Sequence, residues 1–64
     1  MTIILNGEPR KVAATTLDAL LDEVGLSGRV ATALNGTFVP KAMRADTTLK
    51  DGDQVEVLAT MQGG

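Results

Sequence analysis

The sequence predicts an α+β domain, with a mixed sheet of four to five strands and one main helix packed across it. Three observations predict this. First, two Asn-Gly dipeptides, Asn6-Gly7 and Asn35-Gly36, each separate short strand-forming runs, and Asn-Gly is the strongest short-range hairpin signal. Second, Leu17, Leu20, Leu21 and Val24 recur at i, i+3, i+4, i+7, one apolar helical stripe. Third, the first and last extended segments are both apolar, as strands at the centre of a sheet are.

Each element follows from its residues. Thr2-Ile3-Ile4-Leu5 is β-branched and apolar and opens the first strand. Asn6-Gly7 turns it. Arg10 to Ala13 returns, with Val12 facing inward, and Pro9 belongs at a strand start or edge because it lacks an N–H. Thr15, followed by Asp18, resembles a capping box and is expected to start the helix. Asp18, Asp22 and Glu23 read as its solvated face, and Gly25 as the left-handed residue that ends it, with Leu26 folding back. Val30 to Leu34 is a strand with Val30, Thr32 and Leu34 on one face and Ala31 and Ala33 on the other. Thr37-Phe38-Val39 is a short strand that Pro40 ends. Lys41 to Thr48 reads as polar connection anchored by Met43 and Ala45. Asp51-Gly52-Asp53 is a tight turn. Gln54 to Thr60 is the last strand, with Val55, Val57 and Ala59 on one face and Glu56, Leu58 and Thr60 on the other. Pairing the first and last strands in parallel, with the helix across one face, gives the β-grasp arrangement. Residues 1–60 form the domain and 61–64 a flexible C-terminal tail.

Composition excludes several functions. Sixty-four residues make one domain with a small core. The chain has no cysteine and no histidine, so the disulfide, the zinc-thiolate site and the commonest general base are all missing. No metal site is expected. Asp51 and Asp53 flank a turn glycine without the other ligands of a calcium loop. The formal net charge is -2 and Phe38 is the only aromatic, which speaks against nucleic-acid binding. The longest apolar run is too short to span a bilayer. The N-terminus lacks the charged region of a signal peptide. A cytoplasmic protein that is no enzyme in its own right is the expectation.

The sequence ends on Gly63-Gly64. Two glycines can extend through a channel too narrow for any other residue. They also leave the Gly64 carboxylate bare, which suits chemistry done on the terminus itself. The competing reading is a frayed end that happens to be glycine.

Along its whole length the chain resembles the ThiS family, the sulfur carriers of thiamine biosynthesis. The resemblance lies in ILNG at Ile4 to Gly7, TTLDALL at Thr15 to Leu21 and ALNGTFVPK at Ala33 to Lys41. It continues in LKDGDQVEVL at Leu49 to Leu58 and QGG at Gln62 to Gly64. The molybdopterin sulfur carriers share fold and tail but tend to be longer and lack the VPK segment. The resemblance implies a ubiquitin-like β-grasp and a Gly64 carboxylate adenylated by a ubiquitin-activating-like partner. It further implies conversion to a thiocarboxylate, which gives its sulfur to a thiazole synthase. ATP and Mg are used by the activating partner, with none bound by the carrier, and a donor such as a cysteine desulfurase supplies the sulfur. Met61, Gln62, Gly63 and Gly64 would enter the partner's channel. Met61-Gln62 departs from the family, where a smaller apolar residue and a third glycine are commoner.

Partners require a docking surface. Leu58, with Ala31 and Ala33 on the same face and Met61 nearby, forms the candidate apolar patch. Lys41 and Arg44 read as solubilising charges. Two other destinations remain open: sulfur delivery to molybdopterin or to tRNA thiolation, and conjugation as a ubiquitin-like modifier. A small binding module with an inert tail is the reading from another class.

Overall fold

The two Asn-Gly dipeptides set the frame. In the computed structural model, which describes residues 1–59, Asn6 and Gly7 take φ values of 49° and 85°, and Asn35 and Gly36 take 50° and 84°. Positive φ at both central positions is the type I′ geometry, whose twist matches that of the flanking strands. The first turn joins β1 (Thr2–Leu5) to β2 (Glu8–Lys11), and the second joins β3 (Val30–Leu34) to β4 (Thr37–Val39). The last strand, β5 (Gln54–Ala59), lies between the hairpins, so the sheet order is β2-β1-β5-β3-β4. β1 and β5 pair in parallel, and β3 and β5 antiparallel. The expected arrangement is thus observed. The proposed tail, residues 61–64, and Thr60 lie outside the described residues.

Pro9 is accommodated because β2 is an edge strand. It sits opposite Ile4, whose N–H donates to the Asp53 carbonyl on the other side of β1. The Ile4–Pro9 pair therefore exchanges no ladder bonds, and the missing N–H faces outward. Val12 is buried as expected, one residue past the end of β2.

Helix α1 (Leu17–Glu23) crosses one face of the sheet. Its cap is Thr16, whose Oγ1 accepts from the Ala19 N–H at 3.2 Å, so the expected start at Thr15 shifts by one residue. The cause is a strand-like contact just upstream: the Thr15 carbonyl accepts from the Leu49 N–H, and Thr16 bridges to Thr48. Extended backbone thus persists through Thr16. At the other end Leu26 N–H donates to the Leu21 carbonyl and Gly25 N–H to the Asp22 carbonyl, with Gly25 at φ 74°. These are the two bonds of a Schellman motif. Leu17, Leu20 and Leu21 are buried, and Leu17 and Leu20 meet Ile3, Leu5 and Val55 in the core.

Four side chains depart from their expected roles. Glu23 is not simply solvated. Its carboxylate accepts from the N–H groups of Ala13 and Ala14, the latter at 2.8 Å, which ties the segment after β2 to the helix. The Lys41–Thr48 connection contains a 3₁₀ helix, η1 (Lys41–Asp46). Met43 and Ala45 point outward, and Arg44 is the residue buried. Its Nε donates to Thr32 Oγ1 at 3.2 Å and its Nη2 to the Val30 carbonyl at 2.6 Å. Thr32 in turn donates to the Val39 carbonyl at 2.8 Å. A buried guanidinium satisfied by neutral acceptors thus fastens η1 beneath β3.

Candidate functional site: the open sheet face and the root of the tail

Alternation on β5 sends Val55 into the core and Glu56 and Leu58 to the opposite, uncovered face. Register then assembles a surface around them. Leu58 lies opposite Ala31, Glu56 opposite Ala33, and Ala33 opposite Phe38. The sequence-predicted trio Leu58, Ala31 and Ala33 is therefore brought together. Leu58 is 72% exposed and Phe38 65%. The alanines between them leave a shallow apolar hollow of about 190 Å³, to which Glu56 also contributes a wall.

Phe38 and Glu56 were not in the predicted patch. The two-residue turn at Asn35-Gly36 was enough to find the first: counting outward pairs Leu34 with Thr37 and Ala33 with Phe38. A second, more polar hollow of about 430 Å³ lies on the other side of Glu56, lined by Ile4, Asn6, Gly7, Gln54 and Val55.

β5 is held from both sides, by one turn asparagine at Val57 and by the other at Gln54. β1 turns away at Asn6-Gly7, yet the Asn6 side chain continues its ladder. Asn6 Oδ1 accepts from the Val57 N–H at 2.8 Å, and Nδ2 donates to the Val57 carbonyl at 3.2 Å. Asn35 does the same near the start of the strand, where its Oδ1 accepts from the Gln54 N–H at 2.9 Å and its Nδ2 donates to Asp53 Oδ1 at 3.1 Å. Each turn asparagine thus sets the turn and clamps the central strand. The turn at Asp51-Gly52-Asp53 is locked in the same manner: Asp51 accepts from the Thr2 N–H at 2.7 Å and Asp53 from the Lys50 N–H at 2.8 Å. Their reading as turn chemistry stands.

Among the described residues no group of His, Cys, Asp or Glu could hold a metal ion, and no helix is long and apolar enough to cross a membrane. Gly64, the expected site of modification, and Met61, Gln62 and Gly63 lie outside the described residues.

A family model described as the ThiS family matches residues 3–64. The chain belongs to the ThiS family. It is 46% identical over 61 residues to the sulfur carrier protein ThiS of Thermus thermophilus, covering 94% of this chain and 95% of that protein. It is also 41% identical to a thiazole synthase of Paramagnetospirillum magneticum, where all of this chain aligns to 20% of the relative. The chain thus spans about a fifth of that larger protein. Among solved structures, the ThiS thiamine biosynthesis protein of Geobacter metallireducens superposes with a TM-score of 0.86 at 33% identity, each chain fully covered. A solution structure of a thiamine biosynthesis protein from the same organism gives 0.79 at 33% identity, covering this chain fully and 88% of the other. A ThiS-family chain is a small sulfur carrier of thiamine biosynthesis, and the ubiquitin-like β-grasp seen here is its fold.

Proposed function

We propose that the Gly64 carboxylate is the sulfur-carrying group. A carboxylate is a poor electrophile, and a sulfur nucleophile will not displace its oxygen unaided. In the first step the carboxylate attacks the α-phosphate of Mg-ATP on a ubiquitin-activating-like enzyme, and pyrophosphate leaves. A persulfide formed on a donor such as a cysteine desulfurase then attacks the acyl carbon, AMP leaves, and a thiol reductant cleaves the S–S bond of the acyl disulfide, being itself oxidised to a disulfide. The resulting thiocarboxylate delivers sulfur to a thiazole synthase. The carrier contributes recognition and presentation, and its partners contribute catalysis. Met61 to Gly64 thread the partner's channel while Leu58, Ala31 and Ala33 dock beside it, all within the cytoplasm.

The observation that carries this reading is the family match, which continues to the last residue, Gly64. A supporting one is that a thiazole synthase contains a region similar to this whole chain. The test is intact mass after incubation with the activating enzyme, Mg-ATP and a sulfur donor. A thiocarboxylate species is expected, and its absence overturns the reading. Deleting Gly64, or adding one residue after it, is expected to abolish the product without altering the circular dichroism spectrum. Thiazole auxotrophy of a deletion strain separates this destination from molybdopterin or tRNA thiolation and from conjugation as a modifier.

A further inference from the structure

The open face is not uniformly apolar. Glu56 stands within it on the central strand, with Ala33 across the ladder and Phe38 beyond. It borders both hollows, the apolar one toward β3 and β4 and the polar one toward β1. None of the hydrogen bonds among the described residues ends on its carboxylate. In this it differs from Asp51, Asp53 and Glu23, whose carboxylates secure backbone N–H groups. The position costs little while the face is wet. Once an apolar surface covers Phe38 and Leu58, water is stripped from the carboxylate, and an unpaired charge there is strongly disfavoured. A partner without a cation at that point is therefore penalised, which is how a charge within an apolar patch generates selectivity.

We propose that Glu56 is the specificity determinant of this face. It selects a thiazole synthase whose docking surface places an arginine guanidinium against the Glu56 carboxylate while apolar side chains cover Phe38 and Leu58. Arginine fits because its planar fork can bond both carboxylate oxygens and it sheds water more readily than an ammonium. The polar hollow beside Glu56, with Asn6 and Gln54 in its wall, leaves room for that head group. Glu56 and Leu58 share the strand that leads to the C-terminal residues, so a partner gripping them also positions the chain's end. The partner class rests on the sulfur-carrier reading and on the thiazole synthase that contains a region like this chain.

The experiment is calorimetric titration of the full chain into the thiazole synthase encoded in the same genome, at low and at moderate salt. Glu56→Gln is expected to weaken binding about tenfold, and Glu56→Lys about a hundredfold or more. Binding of Glu56→Gln should also be less sensitive to salt than that of the parent chain. Thermal midpoints should stay unchanged, since the carboxylate has no partner within the described fold. Equal or tighter binding by Glu56→Gln, with Phe38→Ala and Leu58→Ala still weakened, overturns the proposal and leaves the carrier reading standing. A parent chain that becomes a thiocarboxylate yet never binds the synthase also overturns the proposal alone. Absence of both binding and thiocarboxylate overturns both.

Discussion

Strict alternation builds the two faces of the sheet from the same strands, yet the faces serve different ends. On β5, Val55 is 1% exposed and Leu58 is 72% exposed. The covered face holds Ile3, Leu5 and Val55 against Leu17 and Leu20 of the helix. It also holds the Arg44–Thr32–Val39 chain of hydrogen bonds. The uncovered face holds Phe38, Leu58 and Glu56, whose carboxylate has no hydrogen-bond partner among the described residues. A domain this small has little stability to spare, so residues left out of the core need a reason outside the fold. The comparison teaches that one side of a single layer carries the packed core while the other leaves Phe38 and Leu58 exposed and outside it.

That separation can be broken by experiment. Leu20→Ala on the covered face should cost about 2–5 kcal/mol, enough to unfold much of the population, as a thermal melt would show. Arg44→Ala should cost about 1–3 kcal/mol, because it strands the Val30 carbonyl and loosens Thr32. Arg44→Met, which keeps the packing, tests how much of that loss belongs to the hydrogen bonds. Asn6→Gly retains a residue at ease with positive φ but removes both bonds to Val57. About 1 kcal/mol is expected, with faster amide exchange concentrated at Val57. Asn35→Gly should move the same effect to Gln54. Last, Phe38→Ala and Leu58→Ala should change stability by no more than about 0.5 kcal/mol while slowing sulfur transfer. A large drop in their thermal midpoints would mean that the two faces are not independent.

Much of this was legible in the residues. Asn-Gly permits both positive φ values of a type I′ turn, so the two hairpins followed; the return strand expected over Arg10 to Ala13 instead runs Glu8–Lys11, because the turn takes only two residues and Glu8 already pairs with Leu5. The Leu17, Leu20, Leu21 and Val24 stripe fixed the helix and its buried side. Gly25 followed by Leu26 marked its end. What escaped were interactions between segments distant in sequence. The shift of the cap to Thr16 depends on Leu49 and Thr48 lying alongside. The burial of Arg44 depends on a 3₁₀ turn that aims it at Thr32, a polar residue on the core side of β3 that needed a partner. Glu23 looked solvated because its acceptors' partners, the N–H groups of Ala13 and Ala14, precede the helix. On the uncovered face, Ala31, Ala33 and Leu58 emerged from alternation alone, whereas Phe38 required counting through the second turn.

The placement of β5 has a further consequence for how the molecule comes into being. Asn6 and Val57, which are bonded to each other, lie 51 positions apart. Until the ribosome has delivered Gln54–Ala59, β1–β2 and β3–β4 are two separate hairpins with nothing between them, and isolated hairpins are marginal in water. Closing so long a loop comes late in folding and slows it. Assembly of the layer therefore waits on the last strand: a nascent chain interrupted before Gln54–Ala59 leaves Ala31, Ala33 and Phe38 without the strand that completes their face of the sheet.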